Sequence, residues 1–434
     1  MARVSSNQMP WARPRRGIMD YFSFQIGPMD YPLLITTMAL IAVGLMMVYS
    51  ASLYFGMQVN DGNVTHYFSR QLQAVAGGIV AVVALLCVDY HLIRRGSTAV
   101  MLITIGFLFF VLVAGEAILG ATRGLSQGSY QPGEFAKLVT VIYIADWLSS
   151  KGERIRDFGM GFLPFLILVG IVGALVAAQP DLSTAIIIGL TALTLFVVAG
   201  ARFTHFSLIV GIGILAVFVL INLFPHANER WNDFWLMIKD PAEVEWHTQQ
   251  VYFAFARGGL FGRGLGNSFQ KTGPLPVPHT DSILAVIGEE LGFIGCIVVF
   301  GLLLYIVFRG FKIALETDDQ YGRLMAFGIT CWLAYQAILN GAVMTGIIPF
   351  TGQPLPFVSY GGSSMVTSLT AIGVLLSISH KNKRLAAGIA RTTKRRKSAK
   401  RRRSLVNRRR EMNAVASVGR RNRRSHHTSS FRNR

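Results

Sequence analysis

Three acidic side chains between Leu275 and Gly295 are the groups in this sequence best suited to chemistry at a membrane. The stretch starts as a proline-rich loop, passes through His279 and Asp281, and continues as an apolar helix that carries Glu289 and Glu290. Carboxylates in or beside a hydrocarbon layer are costly, so they are seldom without a role. Asp281 could act as a general base, hold a divalent cation, or only stabilise the positive end of the helix.

Position along the helix separates these acids. Glu289 and Glu290 follow Asp281 by eight and nine residues, which is about 12–13 Å at the rise of an α-helix. We therefore expect both glutamates inside the bilayer, hydrogen-bonded to other helices, and Asp281 at the surface, where a polar substrate can arrive. His279 alone is weak evidence for a metal site, because no second ligand accompanies it.

Two further groups of polar residues lie at the ends of predicted membrane helices. Glu134 and Lys137, three residues apart in QPGEFAKL, share one helix face. Either they form an ion pair that neutralises two buried charges, or Lys137 meets a ligand phosphate while Glu134 fixes its position. Asp181, in the short turn QPDL, can cap the following helix or contribute to a site.

A glycine-rich run follows Gln250 and includes Arg257 and Arg263. Its glycines are Gly258, Gly259, Gly262, Gly264 and Gly266. Glycine permits close backbone approach, and backbone amides together with arginine suit a diphosphate. The alternative is a flexible connection between an interfacial helix and the next span. A dinucleotide-binding motif is disfavoured because no strand precedes the run.

The segment from Gly346 to Ser364 contains three prolines in an otherwise apolar region. Non-helical backbone at membrane depth is tolerated only where protein or a cavity satisfies it. We therefore predict a re-entrant or interfacial loop that shapes a groove. Within it, Ser359, Gly361 and Gly362 are candidate supporting residues.

Ten apolar segments must position these residues. The chain has 434 residues, is 52% hydrophobic and has a mean hydropathy of +0.45, which excludes a single soluble domain. Segments of about 20 apolar residues are long enough to cross a bilayer. The sequence predicts an all-α polytopic membrane protein with about ten transmembrane helices and a large extracytoplasmic loop, residues 224–282, between the seventh and eighth. The predicted spans are 33–53, 71–88, 98–118, 134–149, 158–178, 183–200, 203–223, 283–308, 324–348 and 361–380.

The positive charges predict the orientation. Arg13, Arg15 and Arg16 precede the first span, and a basic tail follows the last. Most of the basic residues in short loops fall in alternate loops, which the positive-inside rule assigns to the cytoplasm. Both termini are then cytoplasmic. Glu134, Lys137, Asp181, Asp281 and the segment 349–364 then gather at the outer end of the bundle. This gathering is the main argument for an extracytoplasmic site.

The net charge is concentrated in residues 381–434. They hold 21 of the 42 Lys and Arg and one of the 22 acids, which gives +20. We predict a disordered cytoplasmic tail attracted to anionic lipid, with protein docking as the alternative. Nucleic-acid binding is disfavoured because no folded reading module is evident. Residues 1–30 form the predicted cytoplasmic N-terminal segment and 31–380 the membrane domain. The three cysteines are predicted to be packing residues.

Four motifs together resemble the SEDS family (shape, elongation, division and sporulation). They are HTD-x-x-x-AVIGEELGFIG, TGQPLPFVSYGGSS, QPDLSTA and QPGEFAKL. The resemblance covers residues from about 30 to 381, and the IGEELG sequence is more similar to the division members than to the elongation members. The basic tail lies outside it.

The resemblance implies a ten-helix glycosyltransferase that polymerises lipid II into peptidoglycan during septal wall synthesis in the bacterial cytoplasmic membrane. It implies Asp281 as the catalytic residue, with Glu134, Lys137, Asp181 and Gln250 at supporting positions. It also implies a septal class B penicillin-binding transpeptidase and other division proteins as partners. No cofactor is required, since the lipid diphosphate is already activated, and a divalent cation such as Mg²⁺ or Mn²⁺ is left open.

The chain departs from the family pattern at several positions. Gly133 replaces the usual Ser, Ser183 the usual Gly, Ser282 the usual Phe, and His247 a loop Gln. The segment after Arg123 is also shorter than usual. These changes affect the local shape of the groove and leave the charged positions intact.

In the expected reaction, the 4-hydroxyl of the acceptor GlcNAc attacks C1 of the donor MurNAc with inversion, and Asp281 takes the hydroxyl proton. Lys137, Arg257 and Arg263 are candidates to stabilise the leaving diphosphate. Two alternatives come from other functional classes. A lipid II flippase would have broken helices and ionisable groups near the bilayer midplane. A non-catalytic division scaffold would not need Asp281.

Overall fold

The computed structural model describes residues 29–59, 62–119, 131–240 and 244–384, apart from the side chains of 114–119 and 226. The predicted N-terminal segment, the altered loop after Arg123 and the basic tail from 385 onward lie outside these residues. The described part contains twelve α-helices: α1 (Tyr31–Val59), α2 (His66–Cys87), α3 (Tyr90–Leu119), α4 (Pro132–Lys151), α5 (Leu163–Ala178), α6 (Leu182–Val198), α7 (Phe203–Leu223), α8 (Pro225–Lys239), α9 (Trp246–Gly258), α10 (Ile283–Leu315), α11 (Gln320–Met344) and α12 (Gly362–Arg384).

Each of the ten predicted spans coincides with a helix, α1 to α7 and α10 to α12, and α8 and α9 lie in the predicted outer loop. Eight helices are long and apolar enough to cross a membrane. The apolar helix α6 is shorter, with 17 residues, and α4 has a lower apolar content because it carries four charged residues, Glu134, Lys137, Asp146 and Lys151. The prediction of an all-α polytopic membrane protein is confirmed.

The helices divide into a buried centre and an exposed periphery. In the most apolar stretch of α12, 83% of the residues are buried, and in α11 61%, whereas in α7 none is. A helix that is apolar on all sides and not covered by protein faces lipid. The centre of the bundle is therefore built from α11 and α12, and α7 lies at its edge.

Polar contacts join α1 and α10 at two levels. Asp30 accepts from the amide of Leu33 at 3.0 Å and from Arg309 Nε at 3.1 Å. Ser50 donates to the carboxylate of Glu290 at 2.8 Å. Glu290 precedes Arg309 by 19 residues, about 28 Å along a helix, which is close to the roughly 30 Å thickness of a bilayer core. The two polar contacts between α1 and α10 are thus separated by about the thickness of a bilayer core, and the expected position of the two glutamates inside the bilayer stays a prediction.

The helix α10 is interrupted at Gly292, whose backbone angles are φ 72° and ψ −171°. Such a break removes two helical hydrogen bonds. The carbonyls of Glu289 and Glu290 lose their acceptor role within the helix, and the amides of Phe293 and Ile294 lose their partners. Buried backbone groups left in this state are costly, especially next to lipid.

The glycine-rich run satisfies all four of these groups. Their partners are the amides of Arg263 and Gly264, at 3.0 Å each, and the carbonyls of Gly259 and Leu260, at 2.9 and 3.2 Å. The fit depends on glycine at both contact points, because a Cβ on Gly262 would lie 2.2 Å from the carbonyl oxygen of Glu290 and one on Gly292 would lie 2.3 Å from the amide of Gly262. We call this arrangement the α10 splice.

Candidate active site

Asp281 lies in the turn that leads into α10 and is half-buried. One carboxylate oxygen, Oδ1, accepts from the hydroxyl of Thr280 at 2.7 Å. The other, Oδ2, faces Gly352, where an added Cβ would lie 3.2 Å away. Asp281 is not the residue that caps α10, since Ser282 occupies that position. Oδ2 therefore retains acceptor capacity, which a general base requires.

Gly352 also lines a large cavity of about 710 Å³. This volume lies within the range of small-molecule sites. The walls come from the start of α6, the outer end of α7, the polar face of α8 and the segment 348–352. The charged residues among its described lining are Asp181, Glu229, Arg230, Asp233 and Glu245. Asp281 is not itself among the lining residues, but its Oδ2 lies next to Gly352, which forms part of the cavity wall.

Asp181 has both of the roles that the sequence left open. Its Oδ1 accepts from the amide of Thr184 at 3.1 Å and so caps α6. The same residue lines the cavity, and Gln353 Nε2 lies 3.4 Å from Oδ1. The cap fixes the carboxylate at the cavity wall.

Glu134 and Lys137 form a buried ion pair, with 2.8 Å between Nζ and Oε1. Lys137 also donates to Gln336 Oε1 at 2.8 Å, and both residues of the pair are 2% exposed. Neither lines the cavity. The structure contains the ion pair that one of the two interpretations expects, and the contact of Lys137 with a ligand phosphate stays a prediction.

Two amides on α11 connect this ion pair with Asp281. Gln336 donates to the carbonyl of Pro354 at 2.9 Å, and one turn later Asn340 donates to the carbonyls of Asp281 and Gln353 at 3.0 and 2.8 Å. These contacts hold the segment 353–354 and the Asp281 turn to one helix. Sequence reasoning missed both residues, although amides four positions apart in an apolar span are a detectable signal.

The last outer loop also holds this turn in place. Ser359 Oγ accepts from the amide of Leu355 at 2.8 Å, and the amide of Tyr360 donates to the carbonyl of His279 at 2.8 Å. Gly361 donates to Gln71 Oε1 at 3.2 Å, and Gly362 begins α12. As predicted, this non-helical backbone is buried in protein. Ser359, Gly361 and Gly362 do not line the cavity, whereas residues 348–352 at the start of the same segment do.

His279 is buried against aromatic rings. The centroid distances are 4.4 Å to Tyr67, 5.1 Å to Phe55 and 5.2 Å to Tyr360. Burial lowers the pKa of His279 to about 4, so the ring is neutral at pH 7. In the part of the chain that the structure describes, no group of three His, Cys, Asp or Glu side chains is arranged to hold a metal.

Three of the predicted binding residues lie away from the cavity. Gln250 is buried on α9, and the guanidinium of Arg257 stacks on Phe269 at 4.4 Å. The amides of Arg263 and Gly264 donate to α10 in the splice and are not available to a diphosphate. The glycines do allow close backbone approach, but to a helix of the same chain.

The two glutamates have complete sets of partners. Glu289 accepts from the hydroxyl of Ser268 at 2.5 Å and from the amides of Phe269 and Gln270 at 3.1 Å each. Glu290 accepts from Ser50 and pairs with Lys271 at 2.6 Å. The contact with Ser50 is the interhelical hydrogen bond that was expected. The bonds to residues 268–271 were not, and they show that the outer loop descends to the level of the splice.

Comparison with known proteins supports one family. The model of the family described as cell cycle protein, of the FtsW, RodA and SpoVE type, matches residues 31–384. A probable peptidoglycan glycosyltransferase FtsW of Trichlorobacter lovleyi is 37% identical over 82% of this chain and 94% of the relative. Stage V sporulation protein E of Bacillus subtilis is 37% identical over 82% and 98%.

Solved structures agree. The first is a peptidoglycan synthase complex, described under structural coordination of polymerization and crosslinking. It aligns with a TM-score of 0.65 at 26% identity, covering 82% of this chain and 98% of that one. The rod shape determining protein RodA of Thermus thermophilus aligns with a TM-score of 0.60 at 24% identity, covering 82% and 97%, and supports the fold alone.

Proposed function

The chain belongs to the cell cycle protein family of FtsW, RodA and SpoVE, and on this premise we propose that it is a peptidoglycan glycosyltransferase that polymerises lipid II. It is a multi-pass membrane enzyme. The single observation that carries the proposal is the carboxylate of Asp281, whose Oδ2 is a spare acceptor next to Gly352 in the wall of a cavity of about 710 Å³.

Asp281 acts as the base in the proposed reaction. The 4-hydroxyl of the acceptor GlcNAc gives its proton to the carboxylate while its oxygen forms a bond to C1 of the donor MurNAc. The bond from C1 to the phosphate oxygen breaks, undecaprenyl diphosphate leaves with the electron pair, and C1 is inverted. Thr280 keeps Oδ1 occupied, which leaves Oδ2 to receive the proton.

The leaving diphosphate needs positive charge in a site of low dielectric. Arg230 of α8 is the basic side chain among the described residues that line the cavity. It therefore replaces Lys137, Arg257 and Arg263 as the assigned cation. A divalent cation has no cluster of three acidic, histidine or cysteine ligands among the described residues, and the proposed steps do not pass through one.

The cavity also suits the lipid part of the substrate. Val217 and Ile221 of α7 form part of its wall, and the opposite side of α7 faces the bilayer. Prenyl chains can thus stay in hydrocarbon next to α7 while the sugars lie against the polar wall. The active site then belongs to the outer leaflet, with both termini in the cytoplasm, at the division septum.

The flippase alternative drew on the two glutamates and on the expectation of broken helices. The break in α10 occurs next to Glu289 and Glu290, but residues of the same chain occupy these carboxylates and the backbone groups of the break. A transport site keeps such groups open to its substrate. This observation favours the enzyme.

The proposed partners follow from the structural relative that is a complex of polymerising and crosslinking activities. We expect a septal class B penicillin-binding transpeptidase, together with other division proteins. The basic tail contacts anionic lipid of the inner leaflet.

The test uses the purified chain with its transpeptidase partner and lipid II in detergent. Glycan polymer from the native chain, and none from an Asp281→Asn variant of equal thermal stability, supports the enzyme. Polymer from both chains supports a scaffold for another polymerase. Polymer from neither, with lipid II crossing vesicle membranes, supports the flippase.

A further inference from the structure

His247 and Ser282 form a hydrogen bond next to the proposed base. The distance from His247 Nε2 to Ser282 Oγ is 2.8 Å. His247 is the second residue of α9, and Ser282 directly follows Asp281. Ser282 is fully buried, and the His247 ring packs on Phe350 with 4.1 Å between centroids. The bond thus ties the start of α9 to the turn that carries the base.

Two charged groups act on the imidazole from neighbouring elements. Burial lowers the pKa of His247, the Asp281 carboxylate raises it, and Arg230 of α8 lowers it, with a net decrease from the ordinary value. Glu245 lies two residues before His247, and burial together with Asp233 raises the pKa of its carboxyl group. Because burial is the largest of these influences, the net effect favours the neutral imidazole.

The resemblance to the SEDS family implies Gln at position 247 and Phe at position 282. That pair would not form this hydrogen bond, because phenylalanine has no polar atom. Compared with glutamine, histidine at position 247 adds a titratable ring beside the turn that carries Asp281.

We propose that His247, held by Ser282, is a positioning residue that makes polymerisation sensitive to mild acid. This inference rests on the proposed function of Asp281. Neutral His247 leaves the affinity of the Asp281 carboxylate for the proton unchanged. The imidazolium form adds a positive charge near the Asp281 carboxylate, which reduces the affinity of the base for the proton of the sugar hydroxyl, and the rate falls. The added charge also attracts the diphosphate, so KM does not rise.

The experiment measures kcat and KM for lipid II from pH 5 to 8, with the native chain, His247→Gln and the double variant His247→Gln/Ser282→Phe, each in complex with the transpeptidase partner. Both variants restore residues of the family pattern. We expect kcat values within twofold at pH 8. At pH 5.5, the native kcat is lower than that of either variant by threefold or more, with no increase in KM.

Superimposable pH profiles for the native chain and both variants overturn the proposal. So does the loss of activity in His247→Gln at pH 8 with an unchanged melting temperature, since His247 would then be indispensable at every pH. If the single variant does not fold, the double variant decides by the same criterion. Failure of the proposed function is recognised separately, because the native chain then makes no polymer at pH 8 or Asp281→Asn still makes it.

Discussion

Asp281 and the Glu289–Glu290 pair lie within ten residues of one another, yet their surroundings differ in kind. Both glutamates are fully buried, and hydroxyl, amide and ammonium donors from the outer loop and α1 contact their carboxylates. Asp281 is half-buried, has one hydroxyl donor on one oxygen, and has its other oxygen next to Gly352 in a cavity wall. An acid with all of its acceptor positions filled stabilises the fold, whereas an acid with a free oxygen beside a cavity can accept a proton.

The largest effect is expected at Asp281, the acid with a free carboxylate oxygen. Asp281→Asn removes the base and should lower kcat for lipid II polymerisation by at least 100-fold, the usual size of a general-base contribution. Because the amide keeps the shape and the acceptor for Thr280, the melting temperature should stay within about 2 °C. Turnover and thermal unfolding are measured on the same preparation. Residual activity above a tenth of native contradicts the assignment.

The next largest effect is expected at Glu290, whose carboxylate oxygens both have hydrogen-bond partners. Lys271→Met leaves Glu290 charged, buried and without its ammonium partner, which should reduce the free energy of unfolding by about 3–5 kcal/mol. The double variant Lys271→Met/Glu290→Gln removes both charges and should recover most of the loss. Denaturant unfolding in detergent measures both. A single variant that loses less than about 1 kcal/mol would show that the ion pair is not important for stability.

A smaller effect is expected at the splice. Gly292→Ala places a methyl group 2.3 Å from the amide of Gly262 at a backbone angle of φ 72°. We expect a loss of about 1–3 kcal/mol in unfolding free energy, or more where the backbone cannot shift. Gly301→Ala is the matched control on the same helix, because its added methyl group meets no atom within 4 Å. Equal stability of the two variants argues against the splice.

The smallest effect distinguishes between candidate cations. Arg230→Gln should raise KM for lipid II by about tenfold, which corresponds to about 1.4 kcal/mol, because it removes positive charge from the cavity wall. Arg257→Gln should change KM by less than twofold, since its guanidinium stacks on Phe269 away from the cavity. Steady-state kinetics with both variants tests this. A larger increase in KM for Arg257→Gln than for Arg230→Gln would assign diphosphate binding to the glycine-rich run instead.

The sequence was sufficient for the helices but not for the contacts that distinguish the acids, and Asp281 as the base stays a prediction. Apolar length predicts α1 to α7 and α10 to α12, because the bilayer sets that length. The break at Gly292 left no signal in that pattern, since apolar residues continue on both sides of it. Only the backbone angle and the facing glycine show it.

Burial of charged loop residues was also beyond the sequence. The local sequence predicts that Lys271 is an exposed loop lysine. It is buried because residues 259–271 run along α10. Arg230 lies on a helix with many polar residues, and its position on the cavity wall depends on how α8 packs. Both are properties of tertiary packing, which local patterns do not encode.

The α10 splice also sets an order of events during biogenesis. Residues 259–264 precede α10 in the chain, so they are synthesised before it. The donors and acceptors of the broken helix therefore have partners in a segment that already exists when α10 is made. Until these groups meet, the carbonyls of Glu289 and Glu290 have no acceptor role within the helix. Correct placement of residues 259–264 is thus a precondition for correct folding of the helix that follows them.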